Sequence, residues 1–336
     1  MENPKHLKRN TLIILGVTIV VLYFVLRKDF NSIIKALATA DYLYIIIAII
    51  LFFLSVALKG LVTYITVNQP KKLSAKEAIK HNVITQFFNG ITPFSTGGQP
   101  MEVYMLHEHD IGYAESTNYI IQTFVFYQVA LVIFGIFAVG YNAIFHIFPK
   151  IPFLQRLVLI GFLLNTLVAV ALFFITFSPT FTKKVMHLIV AIVNKFHKLK
   201  DREATIKRWQ DRLDSFHNSA KEIRKRKGLF FKGIMLNIVS LICLYITPLF
   251  VIYALHDFTS VTPVNALVSS AYVLIIGAFV PIPGASGGIE YSFAKFFGNF
   301  LKGSIAGASL LLWRFITYYL GMIIGAIVFN FEKKGD

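Results

Sequence analysis

Two apolar stretches of this chain are each cut by a proline and a pair of glycines, and no other feature limits the fold so sharply. The first is TPFSTGGQPMEVY, Thr92 to Tyr104, and the second is PIPGASGGIEY, Pro281 to Tyr291. Aligned on Gly97-Gly98 and Gly287-Gly288, they share P-x-x-[ST]-G-G, with Pro93 and Thr96 matched by Pro283 and Ser286. Proline and paired glycines are what a helix interior avoids. Inside a bilayer, broken backbone persists only where protein buries it or a watery cavity wets it. Two such breaks in a membrane chain therefore predict a cavity.

Composition makes it a membrane chain. Of 336 residues, 56% are hydrophobic and 15% charged, more apolar than a soluble domain. The surplus of 33 Lys+Arg over 17 Asp+Glu sets orientation and attracts anionic lipid head groups, with nucleic acid a secondary reading. A single cysteine, Cys243, excludes a disulfide framework within the chain and a cysteine-based metal site. The basic start (Lys5, Lys8, Arg9) followed by an apolar run reads as an uncleaved anchor.

Runs long enough to span, or nearly so, are Thr11–Leu26, Tyr42–Val67, Thr117–Phe145, Phe153–Phe177, Ile234–Leu255 and Ile305–Phe329. Between them lie the two interrupted pieces, about Ala78–Tyr104 and Val264–Phe300, expected as broken or re-entrant helices. The N-terminus, Lys71–Lys80, Lys183–Lys232 and the tail together hold 24 of the 33 basic residues. The positive-inside rule then places both termini in the cytoplasm. Six crossings satisfy this if each broken piece returns to the side it came from, the first cytoplasmic and the second external. Two similar motifs approaching from opposite sides suggest an inverted repeat, a plan that sets a transporter's site near the midplane. The expected fold is an all-α polytopic membrane protein of about six full spans and two broken hairpins, forming one integral domain over 1–336.

The one sizeable polar region, 178–230, reads as basic cytoplasmic amphipathic helices. Phe181, Val185, Leu188, Ile192, Phe196 and Leu199 recur at helical spacing, and Ile206, Trp209, Leu213, Phe216, Ala220 and Ile223 repeat the pattern. A solvated loop obeying charge bias and a surface recruiting anionic lipid both fit it.

TPFSTGGQP followed by Tyr104, with PIPGASGGIE near the C-terminus, resembles the lysylphosphatidylglycerol synthase transmembrane family. That family includes the membrane half of multiple peptide resistance factor, the bacterial phosphatidylglycerol lysyltransferase/flippase. The resemblance covers nearly the whole chain. It implies a lipid-handling domain of the bacterial inner membrane, in some members a flippase for aminoacylated phosphatidylglycerol. The bifunctional enzyme carries a C-terminal domain that takes lysine from lysyl-tRNA, whereas this sequence stops at Asp336 just after its last span. Lysyl transfer is therefore not expected, and neither tRNA nor DNA is an expected partner; a separate synthase protein is a conceivable one. Glu102 stands where many relatives are expected to carry a basic or amide residue, so a direct phosphate contact there is in doubt.

The candidate binding residues follow from charge and backbone at membrane depth. Arg314 lies about nine residues into its span, roughly 13 Å deep at 1.5 Å per residue. It shares a face with Tyr318, Gly321 and Gly325, a small-residue face suited to helix packing. A permanent ion pair with Glu290 and a phosphate contact are its two readings. Glu290 and Glu102 follow the glycine pairs, where exposed N–H groups near a helix start favour anions. Either carboxylate could bind a cationic head group or carry a proton, or merely suit a helix start. Ser95, Thr96 and Ser286 are head-group donors or turn residues. Lys59 either contacts substrate or snorkels to the cytoplasmic face. Asn118, Gln122 and Gln128 make one span half polar, as interhelical glue or substrate contacts. His107-Glu108-His109-Asp110 resembles metal ligands only on paper. No nucleophile elbow, P-loop or HExxH motif is present, so neither catalytic residue, cofactor nor metal is expected.

The expected function is moving or binding a lipid with an anionic phosphate, such as (lysyl-)phosphatidylglycerol. The competing readings are phosphatidylglycerol lysyltransferase and a lipid-binding scaffold.

Overall fold

The computed structural model describes residues 35, 38–69, 72–148, 152–196, 227–301 and 304–332, and among them every regular element is helical. The elements are α1 (Tyr42–Val67), α2 (Ala75–Ile91), α3 (Gly98–Glu108), α4 (Tyr113–Phe145), α5 (Pro152–Phe177), α6 (Pro179–Phe196), α7 (Lys227–Ala254), α8 (Pro263–Gly277), α9 (Gly288–Phe296), α10 (Ser304–Arg314) and α11 (Gly321–Glu332). A π-helical turn, Phe315–Leu320, joins α10 to α11. Five helical stretches among the described residues are long and apolar enough to cross a membrane: α1, α4, α5, α7 and α10 through α11. The expected first span, Thr11–Leu26, and the second amphipathic stretch, 206–223, lie outside the described residues.

Local chemistry fixes where the helices begin. Asp41 caps α1, its carboxylate accepting from the Leu43 N–H at 2.9 Å. Ser74 and Glu77 form a reciprocal capping box on α2. Thr262 caps α8, and Pro263 follows at the first helical position, where its missing N–H costs nothing.

Each expected break is present. α2 and α3 are joined by a one-turn 3₁₀ segment, Pro93–Ser95, and α8 and α9 by its counterpart, Pro283–Ala285. The two turns match residue by residue in left-handed backbone: Phe94 (φ 55°) with Gly284 (φ 64°), and Ser95 (φ 54°) with Ala285 (φ 51°). The hydroxyls match as well. Thr96 Oγ1 donates to the Pro93 carbonyl at 3.0 Å, and Ser286 Oγ to the Pro283 carbonyl at 3.1 Å. The shared sequence pattern is therefore a shared turn.

The two turns approach from opposite sides. α1 and α7 pack antiparallel: Asp41 N–H donates to the Ala254 carbonyl at 2.8 Å, and Ser240 Oγ to the Ser55 carbonyl at 2.9 Å. The end of α1, which feeds the first hairpin, is thus far from the end of α7, which feeds the second. The first hairpin returns to its own side, because Lys72 Nζ donates to the Asp110 carbonyl at 2.8 Å. The order span, broken hairpin, span occurs twice, as α1 to α4 and as α7 to α11, with the two turns in contact at the centre. This is the inverted arrangement expected from the motifs.

α11 lies against α2 at Gly325, while Gly321 faces Phe52 of α1, so the small-residue face packs on helices as expected. A Cβ at Gly325 would sit 2.6 Å from the Val83 carbonyl oxygen and 3.0 Å from Phe87 N. α6 meets α5, burying Thr182, Met186 and Val190 while Leu188 stays exposed. Of the expected apolar stripe, the side chains of Ile192 and Phe196 and the residue Leu199 lie outside the described residues.

Candidate functional site

A cavity of about 720 Å³ opens between the two halves, and both broken turns line it. Phe94, Ser95, Thr96 and Gly98 come from the first break, and Gly284 and Ala285 from the second. The polar lining also includes Lys59 and Thr63 from α1, Asn82 and Asn89 from α2, Glu102 from α3, Tyr127 and Gln128 from α4, and Arg314 with Tyr318. Leu131, Leu164, Val168, Leu244, Leu274 and Ile275 add apolar lining, alongside Asn165 and Asn237.

Arg314 is 5% exposed and closes the second break. Its Nε lies 2.8 Å from Glu290 Oε1, an ion-pair contact without the direction of a good hydrogen bond. Its Nη2 donates to the Gly284 carbonyl at 2.9 Å, and the guanidinium carbon stands 4.4 Å from the Tyr318 ring centroid. Glu290 also accepts from the Gly287 N–H at 2.6 Å, which makes it a helix-start anion. Glu290 does not line the cavity, and its side chain remains 32% exposed. The expected pair therefore exists, with the arginine facing the cavity and the carboxylate behind it.

Glu102 is 7% exposed. Its Oε1 accepts from Thr63 Oγ1 at 2.7 Å and from Asn82 Nδ2 at 3.0 Å. It makes no ion pair among the described residues. Lys59 faces the cavity, with Nζ 4.9 Å from the Tyr127 ring centroid, rather than leaving for the membrane surface. Attraction to the ring face is part of the reason. Lys59 likewise makes no ion pair among the described residues.

The glycine pairs contribute differently from expectation. Gly97 N–H donates to Thr92 Oγ1 at 2.9 Å, Gly98 N–H to Asn89 Oδ1 at 2.8 Å, and Gly287 N–H to Glu290. These three amides are already bonded within the chain and so form no open backbone cradle for an anion. A Cβ at position 98 would lie 2.5 Å from Asn89 Oδ1, so a larger residue there would have to displace the Asn89 side chain that bonds the Gly98 amide. Gly97, Gly287, Gly288 and Ser286 do not line the cavity, whereas Ser95, Thr96 and Gly98 do.

Residues missed in the sequence are Thr63, Asn82, Asn89 and Tyr127, ordinary polar and aromatic residues on helices. Their only signal was position, since Asn82 and Asn89 lie two turns apart on α2 and Lys59 and Thr63 one turn apart on α1. Gln128 lines the cavity, and its buried Oε1 accepts no hydrogen bond. Gln122 Nε2 instead donates to Asn118 Oδ1 within α4. His107 stacks on Tyr113 at 3.7 Å and His109 lies 5.2 Å from His81. No group of metal-ligating residues forms among the described residues.

Fold and site together define a multi-pass α-helical membrane protein in which two inverted, broken hairpins close on a polar cavity. The chain belongs to the family described as the lysylphosphatidylglycerol synthase TM region, whose pattern matches residues 11–325. It is also similar to a "UPF0104 membrane protein" of Archaeoglobus fulgidus, 25% identical over 275 residues, which cover 78% of this chain and 77% of that protein.

Proposed function

We propose that the protein binds the head group of an anionic or aminoacylated phospholipid, such as (lysyl-)phosphatidylglycerol, and exchanges it between leaflets. The carrying observation is a cavity lined by both broken turns, with Arg314 and Lys59 in its polar lining. The guanidinium suits a phosphate through its planar fork, and the ammonium adds a point charge. The apolar lining keeps acyl chains out of water. Rocking of one half on the other would switch access, with the inverted repeat giving two related end states.

The test is reconstitution with labelled phosphatidylglycerol and lysyl-phosphatidylglycerol, read by accessibility of the head group to an external quencher. Exchange by wild type, slowed by Arg314→Ala and Lys59→Ala, is the expected result. Stable binding without exchange would make the protein a lipid-binding scaffold. No effect of wild type on either lipid would end the proposal. Both termini are assigned to the cytoplasm by basic residues; single cysteines at Lys72 and at Asp257, in a Cys243→Ser background, should label from opposite faces.

A further inference from the structure

The two halves repeat one another in backbone but not in charge. In the second half the helix-start carboxylate, Glu290, is neutralised by Arg314 from the following span. In the first half, the register that carries Arg314 falls among Thr123, Phe124 and Tyr127 of α4, none of them a cation. Aligned on the glycine pairs, Glu290 corresponds to Pro100, so Glu102 is an additional carboxylate on the cavity wall, 7% exposed and without an ion pair among the described residues.

Its surroundings are specific. Oε1 is held by Thr63 Oγ1 and Asn82 Nδ2, while Oε2 accepts no hydrogen bond among the described residues. The titratable groups lining the same space are Lys59 from α1, Tyr127 from α4, Tyr245 from α7, and Arg314 with Tyr318. α2 presents only amides and Thr85 there, its His81 being turned toward His109, and α11 presents apolar Phe329 beside Met105. Lys59 and Arg314 line the same cavity as this carboxylate, and Arg314 alone of the two is already paired, with Glu290. A phosphate held by cations of this lining adds a like charge to the same low-dielectric space, which disfavours two anions together.

Resting on the proposed lipid function, we infer that Glu102 is a proton-binding site coupled to the head group. Oε2 takes up one proton from solution as an anionic phosphate enters the cavity and releases it when the lipid leaves. One proton accompanies each lipid, so the translocated unit is less charged than the lipid alone. The bonds at Oε1 keep the carboxyl in place in both forms.

Proton binding is measured apart from transport. Phosphatidylglycerol is added to purified protein in weakly buffered detergent at mildly acidic pH, with an indicator dye reading proton uptake and native mass spectrometry reading bound lipid. Wild type should take up about one proton per lipid bound. Glu102→Gln keeps an oxygen for Thr63 and Asn82, so its fold should hold, and its uptake should vanish. Lipid binding without proton uptake in wild type, or uptake persisting in Glu102→Gln, overturns the inference. Failure to bind lipid at all strikes the proposed function itself, and the inference falls with it. In proteoliposomes, a gradient of one pH unit should shift the lipid distribution by about tenfold at one-to-one coupling, and Glu102→Gln should ignore the gradient. Dependence on a sodium gradient instead would assign the site to a metal cation and overturn the proton.

Discussion

The Tyr318 hydroxyl donates to the Gly90 carbonyl at 2.9 Å, tying the π-turn after Arg314 to the last turn of α2, 228 positions away in the chain. The same ring lies under the guanidinium and against Gly284, so one side chain touches both broken hairpins. A π-turn shifts side chains relative to an α-helix and recurs at functional sites; here it sets Arg314 and Tyr318 on the cavity wall.

Tyr318→Phe keeps the ring and deletes that bond, leaving the Gly90 carbonyl at the end of α2 without its donor. The expected loss is about 1–2 kcal/mol, read as a lower unfolding midpoint in detergent. Lipid exchange should change with it, because the tie between the halves is gone.

Arg314→Leu should destabilise by roughly 2–3 kcal/mol, less than the 3–5 of a fully buried pair, because Glu290 is partly exposed. Adding Glu290→Gln should recover part of the loss. A double-mutant cycle that shows no coupling would mean that the pair holds nothing together.

Gly284→Ala should cost more than Gly287→Ala, although both glycines have positive φ. A Cβ at 284 would lie 2.3 Å from the Tyr318 ring, while one at 287 meets nothing within 4 Å. Strain alone is about 1–2 kcal/mol, and the collision adds to it. Thermal melts of the two variants give the comparison.

Gly325→Leu should part α11 from α2, since the obstruction is backbone, Val83 O and Phe87 N, and cannot rotate away. The expected loss is about 2 kcal/mol or more by overpacking. Unaltered stability would show that the helices can slide to make room.

Glu77 stands at the exposed start of α2, and its bonds with the Ser74 hydroxyl and then the Ser74 N–H hold its carboxyl below its ordinary value. Its contribution is present above the unfolded carboxylate value, roughly 4.3, and is lost as pH falls through the lower folded value. Ser74→Ala should cost about 1 kcal/mol at neutral pH and less at low pH, where wild type has also lost part of the interaction. Unfolding curves of both proteins across pH 3 to 7 would show the two lines converging.

Sequence alone determined the spans and both interruptions. Long apolar runs must be helical in a bilayer, and proline beside paired glycines stops a helix wherever it lies. The matching Thr96 and Ser286 predicted matching turns, and the Arg314–Glu290 pair was legible because a lone charge at that depth requires a partner. Only the tertiary structure decided that the glycine amides are bonded internally, that Lys59 turns onto Tyr127, and that Thr63 and Asn82 hold Glu102. Those outcomes depend on which helices meet. A side chain's partner three helices away leaves no periodicity in the sequence, whereas a broken backbone writes its cause into the residues at the break.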